Sequence, residues 1–452
     1  MRSVAFASAL AAANVVSAGP TATEKQMPKR ADSLPTVTAS GNAFWAGSDR
    51  FYVRGIDYQP GGSSDNKDPL ADTDICKRDI ANFKTLGVNT VRVYSVDNSA
   101  NHDECMKELS DAGIYLVLDV NNPLYSINRD KPGPSYNDVY LQSVFATIDA
   151  FQGYDNTLAF FSGNEVINDK PASVGAAPYV KATTRDMRQY IGSMGYRKIP
   201  VGYSAADVSN NRMQTAQYFN CGTDDERSDF FAFNDYSWCS PSSFTESGWD
   251  QKVKNFTGYG LPIFLSEYGC TTNGRDFSEL SALMSDDMSA VYSGGLMYEY
   301  SKEGNDFGIV SISGDDVTEE DDFTKFKSAL AKYPAPSGNG GASSTTASVA
   351  CPTVDDIWAL GTWGASALPA IPENAKKYMT AGAGDGPGLT GDGSQNAGES
   401  STGTASAGSG SVTATSSGDS FGNGRPAPPM DMGIFGVVGV VGLFTLVGTL
   451  LL

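Results

Sequence analysis

Two glutamates close apolar runs: Glu165 in FFSGNEVI (160–167) and Glu267 in IFLSEYGC (263–270), 102 residues apart. Two carboxylates facing each other over a cleft are what glycoside hydrolysis needs. One protonates the leaving oxygen, and the other attacks the anomeric carbon or activates water. Mutual repulsion and partial desolvation are expected to raise the pKa of the acid member and keep it protonated at working pH. A lone glutamate at a strand end is more often a solvated rim residue or an ion-pair partner. The reading therefore rests on the pair and on its surroundings. The chain holds one histidine, His102 in NHDEC, read as a surface residue of a polar connection. A Ser-His-Asp or Cys-His mechanism could be built only around that residue. A His-rich metal centre has no ligands to draw on, and the six cysteines are better explained as disulfides than as zinc ligands. No cofactor and no metal is expected.

Placing two glutamates face to face is the work of the elements around them. Apolar, strand-like runs occur at Phe51–Tyr58, Asn89–Val96, Ile114–Val120, Leu158–Glu165, Ile199–Ser204, Phe230–Tyr236, Pro262–Tyr268 and Gly294–Tyr300. Their starts recur about every 35 residues, the length of a βα unit, and segments such as Asp74–Leu86 and Val139–Phe151 between them carry helical spacing. Eight units in this length predict a (β/α)₈ barrel, whose active groups gather at the C-terminal strand ends. A doubly wound open sheet would also alternate strands and helices, but no glycine-rich phosphate fingerprint follows the first run.

The run endings agree with the barrel. They read Asp57-Tyr58-Gln59, Arg92-Val93-Tyr94, Asp119-Val120-Asn121, Asn164-Glu165, Tyr203-Ser204, Asn234-Asp235-Tyr236, Ser266-Glu267-Tyr268 and Tyr298-Glu299-Tyr300. Polar and aromatic residues thus collect at one rim. Glu165 and Glu267 fall on the fourth and seventh units, roughly across the mouth. Tyr94, Tyr236, Tyr298 and Tyr300 are candidates for flat sugar platforms, and Asn164 and Asp119 for partners of sugar hydroxyls. Taken singly, such tyrosines are more often packing residues.

The chain ends suggest export. Residues 1–18 read as a signal peptide, followed by an N-terminal segment (19–44) with a basic pair, Lys29-Arg30, as a second candidate cleavage site. The barrel occupies 45–333. Residues 334–380 form a linker and a short extension tethered through Cys351, and 381–424 are Gly/Ser/Thr-rich and expected to be disordered. Residues 425–452 read as a GPI-attachment signal, a polar spacer and an uncharged apolar tail, with Gly418 or Gly422 as attachment residue. A single transmembrane anchor is the competing reading of that tail. Six cysteines in an oxidising compartment predict three disulfides, with fifteen pairings open on spacing alone. Asn255 begins an Asn-Phe-Thr glycosylation sequon. A net charge of −20 argues against nucleic acid or an anionic surface as partner.

The stretches FFSGNEV, LSEYGC and GGLMYEYS, with RGIDYQPGG and TVRVYSVD upstream, resemble glycoside hydrolase family 72. These are the fungal GPI-anchored β-1,3-glucanosyltransferases that remodel cell-wall glucan. The resemblance runs from about Tyr52 to the region of Cys351. It implies Glu165 as general acid/base and Glu267 as nucleophile, Asn164 on the sugar 2-hydroxyl, and Tyr94, Asp119, Tyr236 and Tyr298 lining the glucan cleft. Tyr298 and Tyr300 share side-chain parity, and the resemblance selects Tyr298. It further implies the pairs Cys76–Cys105, Cys221–Cys351 and Cys239–Cys270. The implied reaction cleaves an internal β-1,3 linkage and passes the new reducing end to the non-reducing end of another glucan chain, by a monomer held at the outer face of the plasma membrane, or in the cell wall. A plain retaining β-1,3-glucanase and a non-catalytic wall-binding protein are the competing readings. Some family members carry a cysteine-rich carbohydrate-binding module after the barrel. Here Cys351 is the single cysteine beyond Cys270, so this chain resembles the members without it.

Overall fold

The computed structural model describes residues 34–405, apart from 365, 396, 398, 399 and 402. The signal peptide, the Lys29-Arg30 pair, Gly418, Gly422 and the apolar tail lie outside the described residues. Eight parallel strands close a barrel: β1 (Val53–Asp57), β2 (Thr90–Val93), β3 (Tyr115–Asp119), β4 (Thr157–Asn164), β5 (Val201–Ala206), β6 (Phe230–Asn234), β7 (Ile263–Tyr268) and β8 (Tyr292–Met297). Each strand pairs with its neighbour in sequence, and β8 returns to β1. The eight expected runs are these eight strands, shifted by a few residues at their ends.

The period-two alternation of a strand sorts its side chains between two cores. Val117, Phe161, Phe230, Ala232 and Phe264 fill the lumen. Their neighbours Leu116, Leu118, Phe160, Phe231, Phe233, Ile263 and Leu265 face the helical shell. A full run of apolar residues is therefore what each strand needs, because both faces are buried.

The helices of that shell follow local rules. Helix α1 (Thr73–Leu86) is capped by Asp72, whose carboxylate accepts from the N–H groups of Asp74 and Ile75, and it ends on Gly87 at φ 79°. Such a cap contributes about 1 kcal/mol. A disulfide joins α1 to α2 (Asp103–Asp111) through Cys76 and Cys105. Cys239–Cys270 links the loops that follow β6 and β7, and Cys221–Cys351 fastens the post-barrel segment. These are the pairs that the resemblance implies.

Three features differ from the sequence reading. A three-stranded antiparallel sheet (Val37–Ser40, Ala43–Ala46, Asp49–Phe51) begins before residue 45 and plugs the N-terminal end of the barrel. Its Phe44 ring lies 5.8 Å from both Phe230 and Phe264. His102 is not a surface residue. It is 2 % exposed, with Nε2 2.7 Å from an Asp68 carboxylate oxygen and its ring 4.5 Å from that of Phe151. A polar connection can be buried when its polar groups find partners, and NHDEC does. Finally, the described residues between 381 and 405, which fall in the stretch read as low complexity, make specific contacts with the barrel. Thr404–Ala405 pairs with Leu368–Pro369, and Ser394 is fully buried.

Candidate active site

Strand pairing slips at two places near the C-terminal rim. Along β4 and β5, Phe161 stands opposite Gly202 but Asn164 opposite Ser204, so β4 carries one extra residue. Along β7 and β6, Leu265 stands opposite Phe233 and Glu267 opposite Asn234, so β7 also carries one extra. A bulge re-aims the residues after it. Phe161 faces the lumen, and after the extra residue so does Asn164, although their numbers differ in parity. In β7 both Ser266 and Glu267 take part in the lumen network. Each candidate glutamate thus follows a bulge. Glu165 then adopts φ 49°, a left-handed conformation uncommon outside glycine, with its N–H donating to the Ser204 carbonyl at 2.9 Å.

Glu267 is 8 % exposed and held by three donors. Tyr94 donates to Oε1 at 2.8 Å and Tyr236 to Oε2 at 2.6 Å, while an Arg92 guanidinium nitrogen lies 3.3 Å from Oε1. Arg92 is itself fully buried. Its Nε lies 2.8 Å from the Asp119 carboxylate, and its plane sits over the rings of Tyr94 and Phe161. Burial and nearby carboxylates push the Tyr94 and Tyr236 hydroxyls well above their ordinary range, so both remain O–H donors. Burial is the largest influence on Glu267 itself and pushes its pKa up to about 7. The Glu165 charge adds to the rise; Arg92, Tyr236 and Tyr94 oppose it. Of the two glutamates, Glu267 is the more deeply buried.

Glu165 is partly exposed, and a short polar network ties it to Ser266 on the strand that carries Glu267. Asn234 Nδ2 donates to Glu165 Oε1 at 2.9 Å and to Asn164 Oδ1 at 3.1 Å. Asn234 Oδ1 in turn accepts from Ser266 Oγ at 2.8 Å and Ser204 Oγ at 3.1 Å. Asn164 Oδ1 also accepts from Ser204 at 2.7 Å, which leaves its NH₂ as the group offered to a ligand. Arg129 donates to the backbone carbonyl of Glu165 at 2.6 Å.

The aromatic candidates divide. Tyr298 lies 6.4 Å from both Tyr94 and Tyr236, edge to face, so the three rings wall one side of the site. Tyr300 does not belong to it. Its ring packs on Tyr58 and Phe83 behind the barrel wall, and its hydroxyl donates to Asp79 at 2.8 Å. Asp119 lies on the cleft, but both its oxygens are engaged by Arg92. A cavity of about 250 Å³ beside the glutamates is lined by Tyr94, Asp119, Asn121, Asn122, Ser126, Arg129, Asn164 and others. Among the described residues, no group of three or more His, Cys, Asp or Glu side chains could hold a metal ion.

Sequence reasoning did not single out Arg92, Asn234, Asp57 or Glu299 as site residues. The signal for Arg92 is an arginine inside the apolar run TVRV, where burial demands a partner. Asp57 is fully buried, neither of its oxygens is hydrogen-bonded, and burial pushes its carboxyl well above the usual range. Glu299 is driven by burial to about 7.

The family profile described as Glucanosyltransferase, glycoside hydrolase family 72, matches residues 26–334. The chain belongs to that family. It is 66% identical over 386 residues to the 1,3-beta-glucanosyltransferase gel1 of Aspergillus fumigatus, covering 85% of this chain and 84% of gel1. It is 52% identical over 358 residues to the 1,3-beta-glucanosyltransferase GAS5 of Saccharomyces cerevisiae, covering 78% and 73%. Among solved structures, a Saccharomyces cerevisiae Gas2p mutant in complex with laminaritetraose and laminaripentaose superposes with a TM-score of 0.69 at 38% identity, covering 76% of each chain.

Proposed function

We propose that this family 72 chain is a retaining β-1,3-glucanosyltransferase working by double displacement through Glu267 and Glu165. The observation that carries the reading is the pair itself. Glu267, fixed by Arg92, Tyr94 and Tyr236, lies close enough to feel the charge of a more exposed Glu165, whose Oε1 accepts from Asn234, the residue opposite Glu267 on the neighbouring strand. Glu165 gives its proton to the glycosidic oxygen as the C1–O bond breaks, and a Glu267 oxygen bonds to C1. The departing chain leaves with that proton. Glu165, now a carboxylate, takes the proton of an acceptor hydroxyl, whose oxygen attacks C1 and releases Glu267. Asn164 offers its NH₂ to the 2-hydroxyl of the bound sugar, while Tyr94, Asp119, Tyr236 and Tyr298 shape the cleft. An acceptor chain seated beside the glycosyl-enzyme outcompetes water by proximity, so transfer exceeds hydrolysis.

Incubation with a short linear β-1,3-gluco-oligosaccharide tests the reading, with products longer than the substrate expected. Shorter reducing products alone would support a glucanase, and no products at all a wall-binding protein. Glu165→Gln and Glu267→Gln should each lower the rate at least about 10³-fold.

Residues 1–18 and 425–452 support export and GPI attachment at Gly418 or Gly422, which would hold a monomer at the outer face of the plasma membrane. Among the described residues no helix is long and apolar enough to cross a membrane. Release from whole cells by a phosphatidylinositol-specific phospholipase tests the anchor.

A further inference from the structure

The stretch AGAGDGPGLTGDGSQN (381–396) has the composition of a flexible linker, yet its described residues run from the shell helices Asp138–Phe151 and Ala177–Ser193 to the loops that follow β2 and β3. Near its start, Ala383 N–H donates to Tyr190 Oη at 2.9 Å, and Gln142 Nε2 donates to the carbonyls of Ala383 and Asp385 at 3.0 and 2.8 Å. Gly388 N–H then donates to Asn98 Oδ1 at 2.9 Å, on the loop after β2. Ser394 N–H reaches the Leu124 carbonyl at 2.9 Å, and the Ser394 carbonyl accepts from Asn137 Nδ2 at 2.6 Å. Gln395 is held by its whole amide: Nε2 donates to the Ser126 carbonyl at 2.9 Å, and Oε1 accepts from Asn128 Nδ2 at 2.9 Å.

Two of the glycines are required by contact. Gly388 has φ +64°, and a Cβ there would stand 2.7 Å from Asp97 Oδ1; a Cβ at Gly391 would overlap the Tyr125 hydroxyl. The composition that reads as low complexity is what lets the backbone lie this close to the rim.

The loop so gripped, residues 120–137, is part of the site. Asn121, Asn122, Ser126 and Arg129 line the cavity beside Glu165, and Arg129 bonds the carbonyl of Glu165. A loop anchored only at its ends would sample many conformations. Here a second segment fixes its middle at Leu124, Ser126 and Asn128.

We propose that residues 383–395 form a strap that positions the loop after β3 and thereby sets how tightly the cleft holds a β-1,3-glucan chain. Gln395 is its principal positioning residue. The proposal rests on the cleft being the glucan site, and its test separates the two. Gln395→Ala, Asn128→Ala, the double variant and Gln395→Glu are made in the full chain and, in parallel, in a Glu165→Gln background. Transfer kinetics are measured in the first set and laminaripentaose binding by calorimetry in the second. Losing the two amide bonds should raise both KM and Kd by about five- to tenfold, leave kcat within about twofold, and leave the melting temperature within a few degrees. Gln395→Glu keeps the acceptor for Asn128 but sets a carboxylate oxygen against the Ser126 carbonyl, so it should weaken binding at least as much as Gln395→Ala. The double variant should be no worse than the worse single one, because both remove the same grip. Unchanged KM and Kd in folded variants overturn the strap, as does a fall in melting temperature with KM and Kd unmoved, which would make the segment a stabilising brace. If laminaripentaose binds and the strap variants weaken it while the wild type makes no longer products, the strap stands and the transferase reading falls.

Discussion

At the floor of the barrel, Phe44, Phe161, Phe230 and Phe264 pack rings at 5.4–5.9 Å, and the Arg92 guanidinium over the Phe161 ring marks where floor meets mouth. A few residues further along the same strands, the lumen holds Arg92, Asp119, Asn234, Ser266 and Glu267. The two regions share the inward rows of one sheet and differ in what fills them. Floor side chains gain by leaving water, each aromatic contributing roughly 1.5–3 kcal/mol. Mouth side chains lose hydration and recover it through mutual bonds, at a net gain near zero or below. The barrel thus keeps its stability at one end and places its chemistry at the other, where groups held against their solvation preference are poised to react.

Substitutions at the two ends should separate these roles. The largest effect belongs to Glu267→Gln, which should remove at least about 10³-fold of transfer activity in a protein that melts no lower than wild type at neutral pH. Arg92→Leu comes next. It strips the partner from Asp119 and leaves Glu267 without its cation, so stability should fall by roughly 3–5 kcal/mol together with activity, by chemical denaturation and product assay. At the floor, Phe264→Ala should cost a similar 3–5 kcal/mol. Its folded fraction should still turn over within about threefold of wild type. A large activity loss from Phe264→Ala in folded protein would break the separation of the two ends.

Much of the floor and part of the mouth are legible in the sequence. Apolar runs such as IYLVLD announce strands buried on both faces, and their spacing announces the barrel. Glu165 and Glu267 are legible because their neighbours are polar at the same rim. The bulges in β4 and β7 are not legible, because one extra residue in a pairing leaves no mark on composition. Without them, strict alternation would place Phe161 and Asn164 on opposite faces. Asn234 was one of several polar residues at a run ending until the fold set it between the two glutamates. Tyr300 shares parity with Tyr298, and only the packing of Asp79 and Phe83 against it shows that it faces the shell. His102 and the 383–395 segment were misjudged for one reason: polarity and glycine content report solubility on average, while burial depends on partners that are distant in sequence.

The smaller predictions follow from titration of Glu267. Its folded pKa, near 7, lies above the ordinary 4.5, so the folded protein binds this proton more tightly than the unfolded chain does. The stabilisation from that proton is complete below about pH 4.5 and is lost as pH rises through about 7. Glu267→Gln, which never ionises, should therefore exceed wild type in stability by roughly 2–3 kcal/mol at pH 8, with the gain shrinking toward pH 4.5. Melting curves across that range check the slope, and a gain that grows toward low pH would reverse the sign. Tyr236→Phe should have the smallest effect. It removes the 2.6 Å bond to Oε2 that favours the anion, so the acidic limb of kcat/KM should move to higher pH by about half a unit to one unit. A Tyr236→Phe limb that stays in place while kcat falls would mean that the hydroxyl acts on the sugar rather than on the carboxylate.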